Sequence, residues 1–230
     1  EVSVAADLLD RDHLLVLLSD PPPEEGTPVV HHVDPVGAGL EGRLDGGILS
    51  LERRLAGRER GGDDGGLHGT APERAATHHW RGFYLSALGR SGEAMQAAQR
   101  AWELDPLSLI VNSQLCQPHY FARRFDEVAA AAQQVLAMDA GFAVAHHWLG
   151  CARAAQGRYR EAAASFEALR QHGGGRTTAL AMIGNVKARD GEPDAARAVL
   201  RELEALAARG YVPAFHRALV HIGLAEVDQA

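Results

Sequence analysis

Lysine is nearly missing from this chain: Lys187 stands alone among 23 basic residues, the rest arginine. Such a bias points to GC-rich coding DNA. Only two cysteines occur in 230 residues, Cys116 and Cys151, which excludes a disulfide framework. No aromatic residue precedes Trp80, and the last is Phe215. The longest aliphatic run, Leu14 to Leu18, is too short to cross a bilayer. No basic stretch followed by an apolar one opens the chain in the manner of a secretory signal. Positive charge is not in surplus either. The formal net charge is −7, and phosphate binding needs excess Lys and Arg, so no nucleic-acid partner is expected. These absences leave a soluble, cytoplasmic protein as the expectation.

What is present divides near residue 70. Residues 1–70 hold 12 of the 25 glycines and 5 of the 10 prolines. Their charge sum is 6 − 14 = −8, against 17 − 16 = +1 for residues 71–230. Beyond the boundary a period of 34 emerges. Pro72 and Pro106 lie 34 apart, and Ala140, Gly174 and Ala208 continue that series as helix-ending positions. Small residues follow the same step at Gly82, Cys116, Gly150, Gly184 and Ala218, and again at Ala94, Val128, Ala162, Ala196 and Ala230. Turn positions fall at Gly89, Arg123, Gly157 and Gly191. His78-His79-Trp80 recurs as His146-His147-Trp148, 68 residues on.

Each period reads as two helices. In the third, Phe142 to Gln156 is one helix, Gly157-Arg158 the break and Arg160 to His172 the second. Tyr159, Ala162, Ala163, Phe166 and Leu169 fall at helical spacing and form one apolar stripe. The small residues mark places where two helices approach closely. Asp126 is expected to cap the helix after Phe125, and Pro193 and Asp194 suit a first turn. Asp105-Pro106 ends the helix before it.

The 34-residue pattern of small residue, Gly, aromatic, Ala, aromatic and Pro resembles the tetratricopeptide repeat. The likeness is carried best by Gly-Arg-Tyr-Arg-Glu-Ala at 157–162 and Ala-Trp-Glu-Leu-Asp-Pro at 101–106. It departs at 173–176, where Gly-Gly-Gly-Arg replaces Asp-Pro, and at Pro193, where an aromatic is usual. The resemblance implies an all-α, right-handed superhelical solenoid of antiparallel helix pairs. Four full repeats are expected at about 75–108, 109–142, 143–176 and 177–210, and the first helix of a fifth at 211–230. More narrowly, His-His-Trp, Leu-Asp-Pro-Leu-Ser-Leu-Ile (104–110) and Arg-Gly-Tyr-Val-Pro (209–213) resemble repeat regions behind bacterial winged-helix regulators of the CadC type and nucleotide cyclases.

Residues 1–70 do not continue the pattern. The period places a second helix at 56–69, but six glycines stand in those 14 positions. At about 1 kcal/mol each they cost roughly 6 kcal/mol of helix propensity. Val2 to Ser19 suits a short helix or strand, Ile48 to Leu55 a short amphipathic helix, and the Pro21-Pro22-Pro23 region a linker. Residues 20–70 read as irregular, and their composition matches an out-of-frame reading of GC-rich DNA.

Chemistry is thinly represented. Neighbouring residues on a helix diverge by about 100°, so His78-His79, His146-His147 or His31-His32 does not grip one ion. His147 and Cys151 share a helix face at i, i+4, but two ligands are too few for zinc. Cys116 occupies a tight-packing position. The glycines at 173–175 lack the lysine of a phosphate loop. No catalytic residue, metal or cofactor is therefore assigned, and the chain is not expected to be an enzyme.

Binding is the better expectation. The repeat resemblance places His79, Phe83 and Ser86 on the concave groove, followed by Ser113, Gln117 and Tyr120, then His147 and Cys151, then Asn185 and Arg189. Asn185 and Arg189 resemble part of the cluster with which chaperone-binding members hold a terminal carboxylate. The expected function is a non-catalytic scaffold for a peptide or partner protein, as the regulatory or sensory part of a bacterial signalling or transcription protein. The alternatives are self-association through residues 212–224, where Phe215, Leu219 and Ile222 lack cover, and a histidine-based metal-binding protein. A chain ending in mid-repeat also reads as a fragment.

Overall fold

The computed structural model describes residues 71–173 and 175–226. The readings for residues 1–70 lie outside them. Ten helices cover the described residues and no strand occurs among them. They fall into two compact units, 71–122 and 123–226.

The first unit contains α1 (Ala71–Ala87), α2 (Ser91–Leu104), α3 (Leu109–Ser113) and α4 (Cys116–Phe121). Pro72 lies inside the first turn of α1 rather than at a helix end, a place that needs no N–H from it. Leu85, Ala94 and Ala97 form one buried cluster between α1 and α2. Ala75, Ala101 and Val111 form another, with Leu104 against it. Where a single first helix is expected for residues 109–121, the chain forms two. Pro118 is the cause: its ring collides with the carbonyl four residues back, at Gln114, and the helix is interrupted at Gln114 and Leu115.

The second unit contains α5 (Phe125–Met138), α6 (Ala143–Ala155), α7 (Tyr159–Gln171), α8 (Arg176–Arg189), α9 (Pro193–Ala207) and α10 (Ala214–Gly223). Each helix packs on the next, and α8 also packs on α10. The expected stripe of α7 is buried at Ala162, Phe166 and Leu169, with Tyr159 and Ala163 partly covered. Leu180, Ala181, Ala196, Leu200, Leu203 and Val220 make the core of α8–α10. A Cβ on Gly150 would lie 2.4 Å from the Phe166 ring, and one on Gly184 2.8 Å from Val220. These glycines are the close-approach points that the small-residue series anticipates.

The turn series is equally regular. Gly89, Arg123, Gly157, Gly191 and Ala225 all have φ between +57° and +83°. At four of these turns the following residue donates its N–H back to the preceding helix: Arg90 to Leu85 O, Arg158 to Arg153 O, Glu192 to Lys187 O and Glu226 to His221 O. This is the Schellman arrangement, which satisfies carbonyls that a helix end leaves open.

Polar pairs link successive hairpins of the second unit. Gln156 donates to Asp126 at 2.8 Å, Arg160 pairs with Asp190 at 3.0 Å, and Arg197 with Glu226 at 3.0 Å. Asp126 is thus not a cap. Arg124 holds the N-cap position of α5 without a side-chain bond, and Asp126 sits in the first turn. There its carboxylate is free to meet Gln156 from the next hairpin.

Candidate functional site

The expected groove residues sit where their helices' own packing uses much of their polarity. In the 71–122 unit, Ser86 is buried and donates to Gly82 O at 2.9 Å, and Ser113 donates to Ile110 O at 2.8 Å. Gln117 is buried and accepts from Gln114 Nε2 at 2.8 Å. Gln114 itself is a buried polar partner that the sequence reading misses. Tyr120 is buried with its ring edge-on to Phe121, and Phe83 lies edge-on to both Trp80 and Tyr84. His79 is half-buried; desolvation lowers its pKa to about 4, and its Nδ1 has no hydrogen-bond partner.

In the 123–226 unit, α6 contributes His147 and Cys151. The i, i+4 spacing brings His147 Nε2 within 3.5 Å of Cys151 Sγ. His147 is only 5 % exposed, and burial lowers its pKa to about 4, so the ring is neutral near pH 7. The other ring nitrogen, Nδ1, is buried without a hydrogen-bond partner, and an unmet buried polar group costs about 1–3 kcal/mol. On α8, Asn185 spends its amide on Leu219 O at 2.9 Å, tying α8 to α10. Arg189 is exposed, with its guanidinium 5.0 Å from the centre of the Tyr159 ring. The site residue of this unit that keeps a group open to a ligand is therefore Arg189, whereas His147 Nδ1 lacks a partner but is itself buried.

Other groups bear on the chemistry. Burial pushes the Cys116 thiol up to about 12, so it is a packing group and not a nucleophile at neutral pH. His216 is fully buried, with Nε2 3.4 Å from Thr178 Oγ1. It stands at the repeat position that Trp148 fills on α6, an aromatic-for-aromatic exchange that the period itself reveals. Among the described residues no three His, Cys, Asp or Glu side chains converge as a metal site. No described helix is long and apolar enough to cross a membrane.

No family model and no curated protein matches the chain. Solved structures do. One crystal structure of MamA aligns over 74 % of this chain and 94 % of its own, at 20 % identity and TM-score 0.54. A second MamA structure aligns over 76 % and 91 %, at 19 % identity and TM-score 0.52. The first tetratricopeptide-repeat domain of Spaghetti (RPAP3), bound to the HSP90 peptide SRMEEVD, aligns over 53 % of this chain and 96 % of its own, at 16 % identity and TM-score 0.46. The class defined by the helix pairs, the recurring turn and the glycine contacts is the all-α, tetratricopeptide-like stack. The MamA structures share that architecture, and the likeness is one of fold.

Proposed function

We propose that this chain is a non-catalytic scaffold that holds a peptide or partner protein against the groove-side positions of its first helices. In the 123–226 unit those positions are His147, Cys151, Asn185 and Arg189. In the 71–122 unit they are His79, Phe83, Ser86, Ser113, Gln117 and Tyr120. The observation that carries the reading is Arg189, an exposed cation on the first helix α8, with its guanidinium 5.0 Å from the centre of the Tyr159 ring. It is suited to an acidic side chain or a terminal carboxylate. The likeness of His-His-Trp, Leu-Asp-Pro-Leu-Ser-Leu-Ile and Arg-Gly-Tyr-Val-Pro to repeat regions of bacterial regulators supports a regulatory or sensory role, and a cytoplasmic location goes with it.

The test is selection of a random peptide library on the immobilised full chain. Each selected peptide is then measured against His147→Phe and Arg189→Glu, with circular dichroism to confirm helix content. The expected result is saturable binding weakened at least tenfold by Arg189→Glu. Peptides that bind both variants as well as the parent chain would remove the groove from the reading.

A further inference from the structure

Within the 123–226 unit, α10 is joined and packed differently from the other first helices. Residues 139–142 link α5 to α6, and residues 172–175 link α7 to α8, four in each case. The link from α9 to α10 is longer, six residues at 208–213. It contains Gly210 and the exposed Tyr211 and ends on Pro213. The packing changes with it. Where α6 and α8 lie against the second helices that precede them, α10 lies mainly on α8 and only lightly on α9.

Gly223 makes that approach possible. It stands one period after Arg189 and two after Ala155, and a Cβ on it would lie 2.9 Å from Asn185 O and 3.0 Å from Asn185 Cα. Any side chain there would hold α10 away from α8. With the gap closed, Asn185 donates its amide to Leu219 O at 2.9 Å. A groove position is thus spent on the main chain of α10. Arg189, one turn further along α8, stays exposed.

The hold on α10 is nevertheless slight. Its buried residues are His216 and Val220, the fewest of any helix in this unit. The end of α10 is held by Glu226, which pairs with Arg197 of α9 at 3.0 Å and with His221 at 3.0 Å. Such partly exposed pairs contribute little net stability. Elements with few buried contacts are those that open locally while the rest of a fold stays intact.

We propose that α10 is an autoinhibitory strap, an internal stand-in for the partner on α8. A peptide anchored by a carboxylate at Arg189 reaches Asn185 only by displacing α10, which swings on residues 208–213. That peptide offers Asn185 a backbone carbonyl in place of Leu219 O, and a glycine or alanine where Gly223 now passes. The inference rests on the groove reading for the place of the ligand. It adds what competes for that place, since a ligand that binds only the strap-open form must pay for opening it.

Two release variants of the full chain are compared with the parent. Glu226→Ala removes both pairs at the end of α10, and Gly223→Val forces the helix off Asn185. Circular dichroism checks helix content, and if Gly223→Val fails to fold, Glu226→Ala alone decides. Random peptides are selected on the parent and on the Glu226→Ala chain, and their affinities are measured by fluorescence anisotropy. An unlabelled peptide of residues 212–226 serves as competitor. The expected result is binding at least threefold tighter to Glu226→Ala and at least tenfold tighter to Gly223→Val, with competition by the 212–226 peptide. Equal binding by parent and released chains, or no competition, would overturn the strap and leave the groove reading in place if Arg189→Glu still weakens binding. Peptides tightened by release yet indifferent to Arg189→Glu would keep the strap and remove Arg189 from the groove. A selection that yields no peptide on either chain would overturn both.

Discussion

Gly150 illustrates how much one missing methyl group decides. A Cβ there would sit 2.4 Å from Cε1 of Phe166, a ring that is itself buried. Overpacking of this kind costs about 1–3 kcal/mol, partly offset by about 1 kcal/mol of helix propensity. Gly150→Ala should therefore lower the urea midpoint by the equivalent of up to about 2 kcal/mol. Gly92→Ala, whose Cβ meets nothing within 4 Å, should raise it or leave it unchanged. A higher midpoint for Gly150→Ala would refute the close contact. His147 makes a second residue-scale argument. Its folded pKa of about 4 lies below the ordinary 6.5, so between those values the unfolded chain takes up a proton that the folded chain refuses. Stability is whole above pH 6.5 and falls as the pH drops toward 4, by up to about 3 kcal/mol. His147→Phe should lose less stability than the parent chain between pH 7 and pH 4.5 in urea titrations. Identical losses would place the acid sensitivity elsewhere.

At the scale of the element, the hairpin turn is the most informative unit. A left-handed residue other than glycine is strained by about 1 kcal/mol or more, yet Arg123 has φ +57° and Ala225 φ +59°. Arg123→Gly and Ala225→Gly should each stabilise the chain by about 1 kcal/mol, and Gly157→Ala should destabilise it by a similar amount. Thermal melts of the three variants check this, and an unchanged or lower Tm for the two glycine variants would contradict it. The same turn explains why the period is legible in sequence. Backbone geometry admits few residues at Gly157 and at Gly150, so the repeat leaves a trace there that needs no knowledge of distant contacts. The break between α3 and α4 was equally available, because Pro118 carries its own steric consequence. Asp126 was not: its partner Gln156 stands 30 residues away, and local capping rules speak only to near neighbours. Nor does sequence foretell that Ser86, Ser113 and Asn185 turn their side chains to backbone carbonyls, since a groove position and a satisfied one look alike until the bonds are seen.

For the molecule as a whole, stability is built from neighbour to neighbour. In the 123–226 unit each helix packs on the next, so a change at one hairpin is felt mainly by the adjoining pair. That organisation separates what is legible from what is not. The architecture follows from repeated local signals such as Ala162, Phe166 and Leu169, and it is shared with MamA at only 20 % identity. Positions where the repeats differ, such as Arg189 against Ala155 one period earlier, leave no such repeated signal. The recurring joint has one more consequence. Ala225 and Glu226 close α10 with the bond that Gly191 and Glu192 use after α8, and Gly157 and Arg158 after α6. These joints share one backbone bond, whichever residue holds the turn. A hairpin gained or lost at such a joint would keep that backbone bond, while the side-chain pairs between hairpins, Gln156 with Asp126 and Arg160 with Asp190, would have to change.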